Sequence, residues 1–423
     1  MQERTILHID FDSFFASCEQ QYDPALRNKP IGVTAHNGRT AIIAASREAK
    51  KMGVKNVMRS YEAFRLCPEL KLVSADFVKY WEVSKKFITI CQHYSPFVEV
   101  FSIDELFLDV TLTAHLFGGV DGLIQKLKAE LAQEVGECIT VSVGIAQNKM
   151  LAKLASGLRK PNGVFRVEKN RHLDVYKIAE LTDICGIGSR IEARLNQMGI
   201  YSLTKLAKVP LSSLIAEFGN VQGNFLYNVG QGLDVAPVHS FSRAPEAKSV
   251  GRNYCLARNE YDRRVVLQNI FELCEEVCIK LRRINKKARM FGVYLRGTEV
   301  LGSHALNPSY TDLGQEMFRS CLFALAKIKP AAEDADGLWE GYVRQIGVYA
   351  SYLKNSEEVT LPLFKREQNW DRLTSTIDSL NKRFGNHTVR NGFLLYGDKL
   401  TTVPNGFMAD RYELLQLSKT ALT

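Results

Sequence analysis

The stretch Ser102-Ile103-Asp104-Glu105-Leu106-Phe107-Leu108-Asp109 sets two carboxylates, Asp104 and Glu105, side by side in an apolar, strand-forming run. Like charges about 4 Å apart repel by roughly 4 kcal/mol at an effective dielectric near 20. A fold that keeps such a pair is expected to set a cation against it. A second acidic stretch, His8-Ile9-Asp10-Phe11-Asp12-Ser13-Phe14-Phe15, closes the strand-like run that begins at Thr5 and meets helix-start signals at Asp12 or Ser13. If the two strands are neighbours, Asp10, Asp104 and Glu105 converge on an all-oxygen site of the kind Mg²⁺ prefers. Two such ions about 3.5–4 Å apart serve in-line phosphoryl or nucleotidyl transfer. Asp12 either orients this site or caps the helix. Each stretch alone is a weak signal, because Asp-x-Asp after a first strand opens many phosphotransfer folds and Asp-Glu pairs are common.

Both stretches need elements to hold them. Residues 13–21 read as a helix, whose first free N–H groups and positive dipole end suit a triphosphate. Residues 77–94 carry Tyr80, Val83, Phe87, Ile90 and Tyr94 near helical spacing. A strand pair over 97–101 and 103–110 carries the acidic pair. Asp121 is placed to cap a helix through about 135, with Leu123, Ile124, Leu127 and Leu131 on one face. A strand over 139–145 and a helix over 148–157 follow. Strands interleaved with helices in this order suit a split β-α-β layer of ferredoxin-like type, so the expected class is α+β.

From about 166 to 236 the chain shifts to short helices and glycine turns. Ile184-Cys185-Gly186-Ile187-Gly188-Ser189-Arg190 ahead of a helix over 191–198 has the pattern of a helix–hairpin–helix. Gly186 and Gly188 would let the backbone approach a DNA phosphate. Residues 237–245 read as a polar linker with two prolines. A helix over 262–284 then ends in a basic run, in which Arg282, Arg283, Lys286 and Lys287 are candidate phosphate contacts abutting a strand over 290–296. A helix over 312–327 and a strand over 342–351 complete this part. The tail holds an amphipathic helix with Trp370, Leu373, Ile377, Leu380 and Phe384.

The totals bound the class. A chain of 423 residues, 46% hydrophobic and 24% charged, is an ordinary globular protein of about three domains. A net charge of +9 and a pI near 9.0 favour a polyanionic partner. Nine cysteines without a C-x-x-C pair read as reduced thiols, and Cys274 and Cys278, one helical turn apart, suit packing better than zinc. Gln2-Glu3-Arg4 running straight into a strand gives no leader pattern, and no apolar run reaches membrane-spanning length.

In this order the two acidic stretches resemble those of the Y-family (lesion-bypass) DNA polymerases. Further matches are Ser142-Val143-Gly144-Ile145-Ala146-Gln147-Asn148-Lys149 and Lys160-Pro161-Asn162-Gly163. The resemblance implies a right-hand polymerase with a ferredoxin-like palm at 1–18 and 76–165 and small fingers at 19–75. It implies a helical thumb at 166–236, a linker at 237–245, an α/β little finger at 246–352 and a tail at 353–423. Asp10, Asp104 and Glu105 become the catalytic carboxylates, holding two Mg²⁺ ions with a backbone carbonyl at Phe11; Mn²⁺ would substitute. Phe15 becomes a steric gate filling the space of a ribose 2′-OH, with Phe14 beside it in the nucleotide site. Lys160, Arg47 and Lys50 fall on the triphosphate.

The fingers depart from the family pattern. Arg47 and Lys50 stand where Tyr and Arg of a Tyr-Glu-Ala-Arg motif are usual, and Ala44 replaces a common hydroxyl residue. Lys meets phosphate as a point charge, without Arg's bidentate fork. Ala41 and Ile43 would line the surface under the templating base. Thr360-Leu361-Pro362-Leu363-Phe364 resembles the peptide that tethers bacterial members to the sliding clamp, with Thr360 in place of the usual glutamine. Leu361, Leu363 and Phe364 would be its anchors. The implied partners are primed template DNA, dNTPs and the clamp, for a monomer in the bacterial cytoplasm at the nucleoid and away from membrane. Two rivals stay open: a catalytically weak DNA-binding scaffold or partner-activated subunit, and a nucleotidyl cyclase or phosphohydrolase sharing an acidic palm.

Overall fold

Period-two alternation in β1 (Ile6–Phe11) sends Leu7, Ile9 and Phe11 into one core and Ile6, with His8 and Asp10, to the opposite face. The structure, a computed structural model, describes residues 4–35, 41–240, 246–328, 338–360, 365–385 and 388–394. These fall into two compact units divided at residues 244 and 245. No described helix is long and apolar enough to cross a membrane.

In the first unit β1 leads into α1 (Phe14–Tyr22), then β2 (Ile31–Thr34), β3 (Ile42–Ala45), α2 (Arg47–Lys51), α3 (Ser60–Leu66) and β4 (Lys71–Ser74). There follow α4 (Phe77–Tyr94), β5 (Val98–Val100), β6 (Glu105–Asp109), α5 (Gly119–Glu134), β7 (Val141–Ala146), α6 (Lys149–Leu158) and β8 (Val164–Arg166). The large sheet runs β5-β6-β1-β7-β8 and a separate small sheet runs β3-β2-β4. Helices α4 and α5 pack on the Leu7, Ile9 and Phe11 face through Tyr80, Val83, Phe87, Leu123 and Leu127. Helix α6 covers the other face, where Leu151, Ala152 and Ala155 join Ile6 and Ala146. Asn148 caps α6 by accepting from the Leu151 amide at 2.9 Å. The expected cap Asp121 instead lies in the first turn of α5, and Gly118, at φ 83°, takes the cap position.

Gly144 decides how closely α6 approaches. It pairs with His8 across β1 and β7, and a Cβ there would lie 2.0 Å from the Ala152 carbonyl oxygen and 2.4 Å from the Ser156 nitrogen. The helix backbone therefore rests on the strand at the one position with no side chain.

The unit continues through short helices α7 (His172–Tyr176), α8 (Ser189–Gln197), α9 (Leu203–Leu206) and α10 (Leu211–Gly230), the last broken at Gly219. Gly186 has φ 106°, and a Cβ on it would meet the Phe225 ring at 2.7 Å. Gly188 caps α8 with ordinary φ −90° and open space around it, so only the first glycine of the hairpin is demanded by conformation. Residues 237–240 are not a free linker. Val238 is buried, and the His239 amide donates to Glu99 at 2.9 Å.

The second unit comprises β9 (Ser249–Glu260), α11 (Arg263–Arg283), β10 (Lys286–Gly297), β11 (Val300–Thr311), α12 (Gly314–Ala326), β12 (Val343–Asn355) and α13 (Lys365–Phe384). Its antiparallel sheet runs β11-β10-β12-β9, with α11 and α12 packed on Phe291, Val293, Leu295, Ile346 and Val348. On the opposite face Tyr294 lies over Gly347 and Tyr349 over Gly292, where a Cβ would come within 2.0 and 2.2 Å of the rings. Cys274 and Cys278 are buried in this core, and all nine cysteines are free thiols.

Residues beyond 353, expected as a tail, partly dock here. Arg282 grips Asp378 of α13 with two contacts of 2.6 and 2.9 Å, Arg390 lies 3.1 Å from Glu272, and Phe393 packs on Phe271 and Phe318. This overturns Arg282 as a phosphate contact, because its guanidinium also donates to the Asp312 carbonyl at 2.6 Å and its side chain is 15% exposed. Lys286 is 3.0 Å from Glu246 and Lys287 is 4.0 Å from Asp312, both largely buried within β10. Of the four expected basic contacts only Arg283 is exposed. The clamp-like anchors Leu361, Leu363 and Phe364 lie outside the described residues.

Candidate active site

The three carboxylates converge through strand pairing. Asp10 near the end of β1 is the direct cross-strand partner of Glu105 at the start of β6. The Phe11 amide donates to the Asp104 carbonyl at 3.0 Å, which ties the preceding residue to the same strand end. Asp104 Oδ1 accepts from Ser102 Oγ at 2.5 Å. Asp10 Oδ1 meets Lys160 Nζ at 2.5 Å. Glu105 Oε2 takes Lys153 Nζ, and His8 Nε2 lies 3.0 Å from the same oxygen.

Burial splits these groups. It pushes the Asp10 carboxyl up against the pull of Lys160, and pushes Asp104 up with Glu105 adding like charge. Burial also opposes ionisation of Glu105, but His8 and Lys153 overcome it and hold the carboxyl at about 2. His8, Asp10 and Glu105 offer ligand atoms within 4.8 Å of one another. Two partly buried carboxylates raised by desolvation, one paired with Lys160 and one with the Ser102 hydroxyl, fit a divalent cation with oxygen ligands.

Asp12 is a strut. Buried beneath the sheet end, it accepts from Thr140 Oγ1, Ser142 Oγ and the Asn162 amide, each at 2.7 Å. It binds β7 to the turn that carries Lys160. Ser13, which precedes α1, makes no side-chain cap, and the Asp12 carboxylate accepts from Thr140, Ser142 and Asn162 rather than from the amides of α1. Arg47 donates to Thr140 Oγ1, and Lys50 Nζ donates to Ser13 Oγ at 2.9 Å. Burial and the neighbouring Lys160 charge lower the Lys50 ammonium, a sign that cations crowd here.

Phe15 is half-buried, stacked on Tyr80 at 4.4 Å and 13° and edge-on to Phe77 at 5.7 Å. Phe14 is different. It is 3% exposed and stacked on Phe11 at 4.8 Å, so it belongs to the core and is corrected out of the nucleotide-contact set. Gly186 lies in the turn before α8, and Gly188 is its cap. Sequence reading passed over Lys153, His8 and Ser156. His8 was open to inference, being two residues before Asp10 on the same strand face. Lys153 and Ser156 needed the placement of α6.

Comparison with known proteins follows the same map. The impB/mucB/samB family matches residues 9–157, a DNA polymerase-iota thumb domain matches 182–234, and the impB/mucB/samB C-terminal domain matches 247–363. A DNA polymerase IV of Pelotomaculum thermopropionicum is 34% identical over 389 residues, 91% of this chain and 94% of the relative. The chain belongs to the Y-family DNA polymerases. A DNA polymerase IV of Moorella thermoacetica is 32% identical over 93% of this chain and 96% of its own length. A solved Y-family DNA polymerase chimera matches with a TM-score of 0.70 at 27% identity, covering 82% of this chain and 98% of the chimera. The Y-family match spans both units, and the α+β architecture expected from the sequence is that of the family.

Proposed function

We propose that this Y-family chain performs template-directed translesion synthesis, adding dNMPs to a primer 3′-OH. The observation that carries the reading is the pairing of Asp10 with Glu105, with Asp104 drawn in by the Phe11 amide. In the proposal Asp10, Asp104, Glu105 and the Phe11 carbonyl hold two Mg²⁺ ions. When bound, such ions lower the pKa of an attacking hydroxyl and neutralise the leaving pyrophosphate. The chain's own residues do the rest. Lys160, Lys50 and Arg47 supply fixed positive charge to the triphosphate, Asp12 holds the Lys160 turn, and Phe15 closes the sugar pocket. DNA phosphates are met by the Gly186 hairpin and, in the second unit, by the open sheet face with its exposed Arg296 and Asn253, in preference to the paired Arg282 run.

Primer extension with Mg²⁺ on undamaged and abasic-site templates tests this. Extension on both templates is expected. Tight binding of primed DNA without extension, even with the clamp added, would leave a scaffold instead. The proposal extends to a cytoplasmic, nucleoid-associated monomer tethered to the sliding clamp through Leu361, Leu363 and Phe364. Alanine at these three positions should weaken clamp pull-down and leave clamp-free extension unchanged; undiminished pull-down would place the tether elsewhere.

A further inference from the structure

Glu105 is gripped from behind. Lys153 Nζ and His8 Nε2 both address its Oε2, which leaves Oε1 uncommitted among the described residues. Lys153 lies over the Phe101 ring at 4.6 Å. The His8 ring is fully buried and has no freedom of its own. Its Nδ1 is 2.7 Å from Ser156 Oγ, which also lies 2.8 Å from the Lys153 carbonyl; a Ser156 hydroxyl donating to Nδ1 leaves the ring proton on Nε2, facing Glu105. Phe107, its cross-strand neighbour, packs on it at 4.7 Å. Nε2 finds no well-aligned hydrogen-bond partner, and its near polar neighbour is Glu105.

Two features of the chain make this arrangement. His8 shares a strand face with Asp10, so its ring points toward the side that carries the carboxylates. Gly144, directly opposite His8, lets α6 settle onto the sheet, and this brings Ser156 to Nδ1 and Lys153 to Glu105. A buried histidine needs polar partners for its nitrogens, and here one of those partners is a carboxylate of the candidate metal-binding set.

We infer that His8, locked by Ser156, is a positioning residue for Glu105: it holds Oε2 back so that Oε1 is presented to a divalent cation. The inference rests on the metal-dependent reading above. Residues behind a metal ligand that fix its orientation typically change metal affinity or activity by about 10–100-fold when removed.

The test compares His8→Phe, His8→Gln and Ser156→Ala in the full-length protein bound to primed DNA. Gln keeps a donor near the Nε2 position and Phe keeps volume without one. Ser156→Ala removes only the lock. Steady-state kinetics are read as kcat and dNTP KM, with Mn²⁺ affinity measured separately by electron paramagnetic resonance and melting temperature as the control for folding. The expected result is that His8→Phe lowers kcat and Mn²⁺ affinity about 10–100-fold with dNTP KM little changed. Ser156→Ala shows a smaller loss in the same direction, and His8→Gln recovers much of both quantities. Wild-type kcat and Mn²⁺ affinity in His8→Phe would overturn the inference. So would equal losses in the Phe and Gln variants accompanied by equal drops in melting temperature. If the wild type fails to extend primers, the polymerase reading fails, while the Mn²⁺ comparison still decides the role of His8.

Discussion

Asp104→Asn is expected to abolish nucleotide incorporation and yet raise the melting temperature of the metal-free protein. Divalent-cation stabilisation of a transferring phosphoryl group is worth several kcal/mol, and each 1.36 kcal/mol is tenfold in rate. A loss of about 10³-fold or more follows, with primed-DNA binding retained. The stability gain has a separate origin. Burial raises the Asp104 carboxyl and Glu105 adds like charge, so the folded protein binds this proton more tightly than the unfolded chain. Metal-free stability therefore falls as pH rises from the ordinary carboxylate value of 3.8 through the raised folded value. A neutral amide removes that penalty. Asp10 carries the same sign, while Glu105 carries the opposite one. Held at about 2 against an ordinary 4.5, Glu105 contributes stability above pH 4.5 that is lost as pH falls toward 2. Thermal melts at neutral pH with and without Mg²⁺ check the claim. Mg²⁺ should stabilise the wild type and have little effect on Asp104→Asn. Substantial residual extension, or a lower metal-free melting temperature, would remove Asp104 from the role proposed.

Phe15→Ala should admit ribonucleotides. The ring is braced by Tyr80 on its face and Phe77 at its edge, so it cannot swing aside for an added hydroxyl. Forcing extra atoms into a packed site typically costs about 1–3 kcal/mol. Removing the ring is therefore expected to raise the ribonucleotide-to-deoxynucleotide ratio of kcat/KM by about 10–10²-fold. Competition assays with matched rNTP and dNTP pairs read this directly. Phe14→Ala, its neighbour in sequence, should leave that ratio unchanged and lower the melting temperature, because Phe14 stacks on Phe11 in the core. An unchanged ratio in Phe15→Ala would place the sugar discrimination elsewhere.

Much of the first unit was open to a reading of the chain alone. The helix over 77–94 has the bounds expected, because its apolar residues repeat strongly and Asp76 caps it by accepting from the Lys79 amide. The helix expected over 148–157 is observed at Lys149–Leu158, with Asn148 as its cap. The second unit was less legible. Strand β11 (Val300–Thr311) went unseen, since it is an edge strand of small and polar residues with Pro308 inside it. The basic run that ends α11 and opens β10 misled, because lysines and arginines that pair in a fold look the same in sequence as lysines and arginines that face solvent.

By itself the sequence determined which face of its own strand or helix each side chain takes. That sufficed for Asp10 and Glu105, which sit at two strand ends that need only pair, whereas Asp104, one residue before β6, is tied to the same end by the Phe11 amide. It sufficed too for the helix that follows β1 and for Lys160 on the Pro-Asn-Gly turn. Only the tertiary structure decided what packs against those faces. It set Lys153 and His8 behind Glu105, turned Asp12 into a strut among Thr140, Ser142 and Asn162, sank Phe14 into the core and closed Arg282 on Asp378. The physical reason is the same in each case. Periodicity is a local property of the backbone, whereas the partner of a charge or a ring comes from a distant part of the chain, and its position depends on close approaches such as α6 on Gly144.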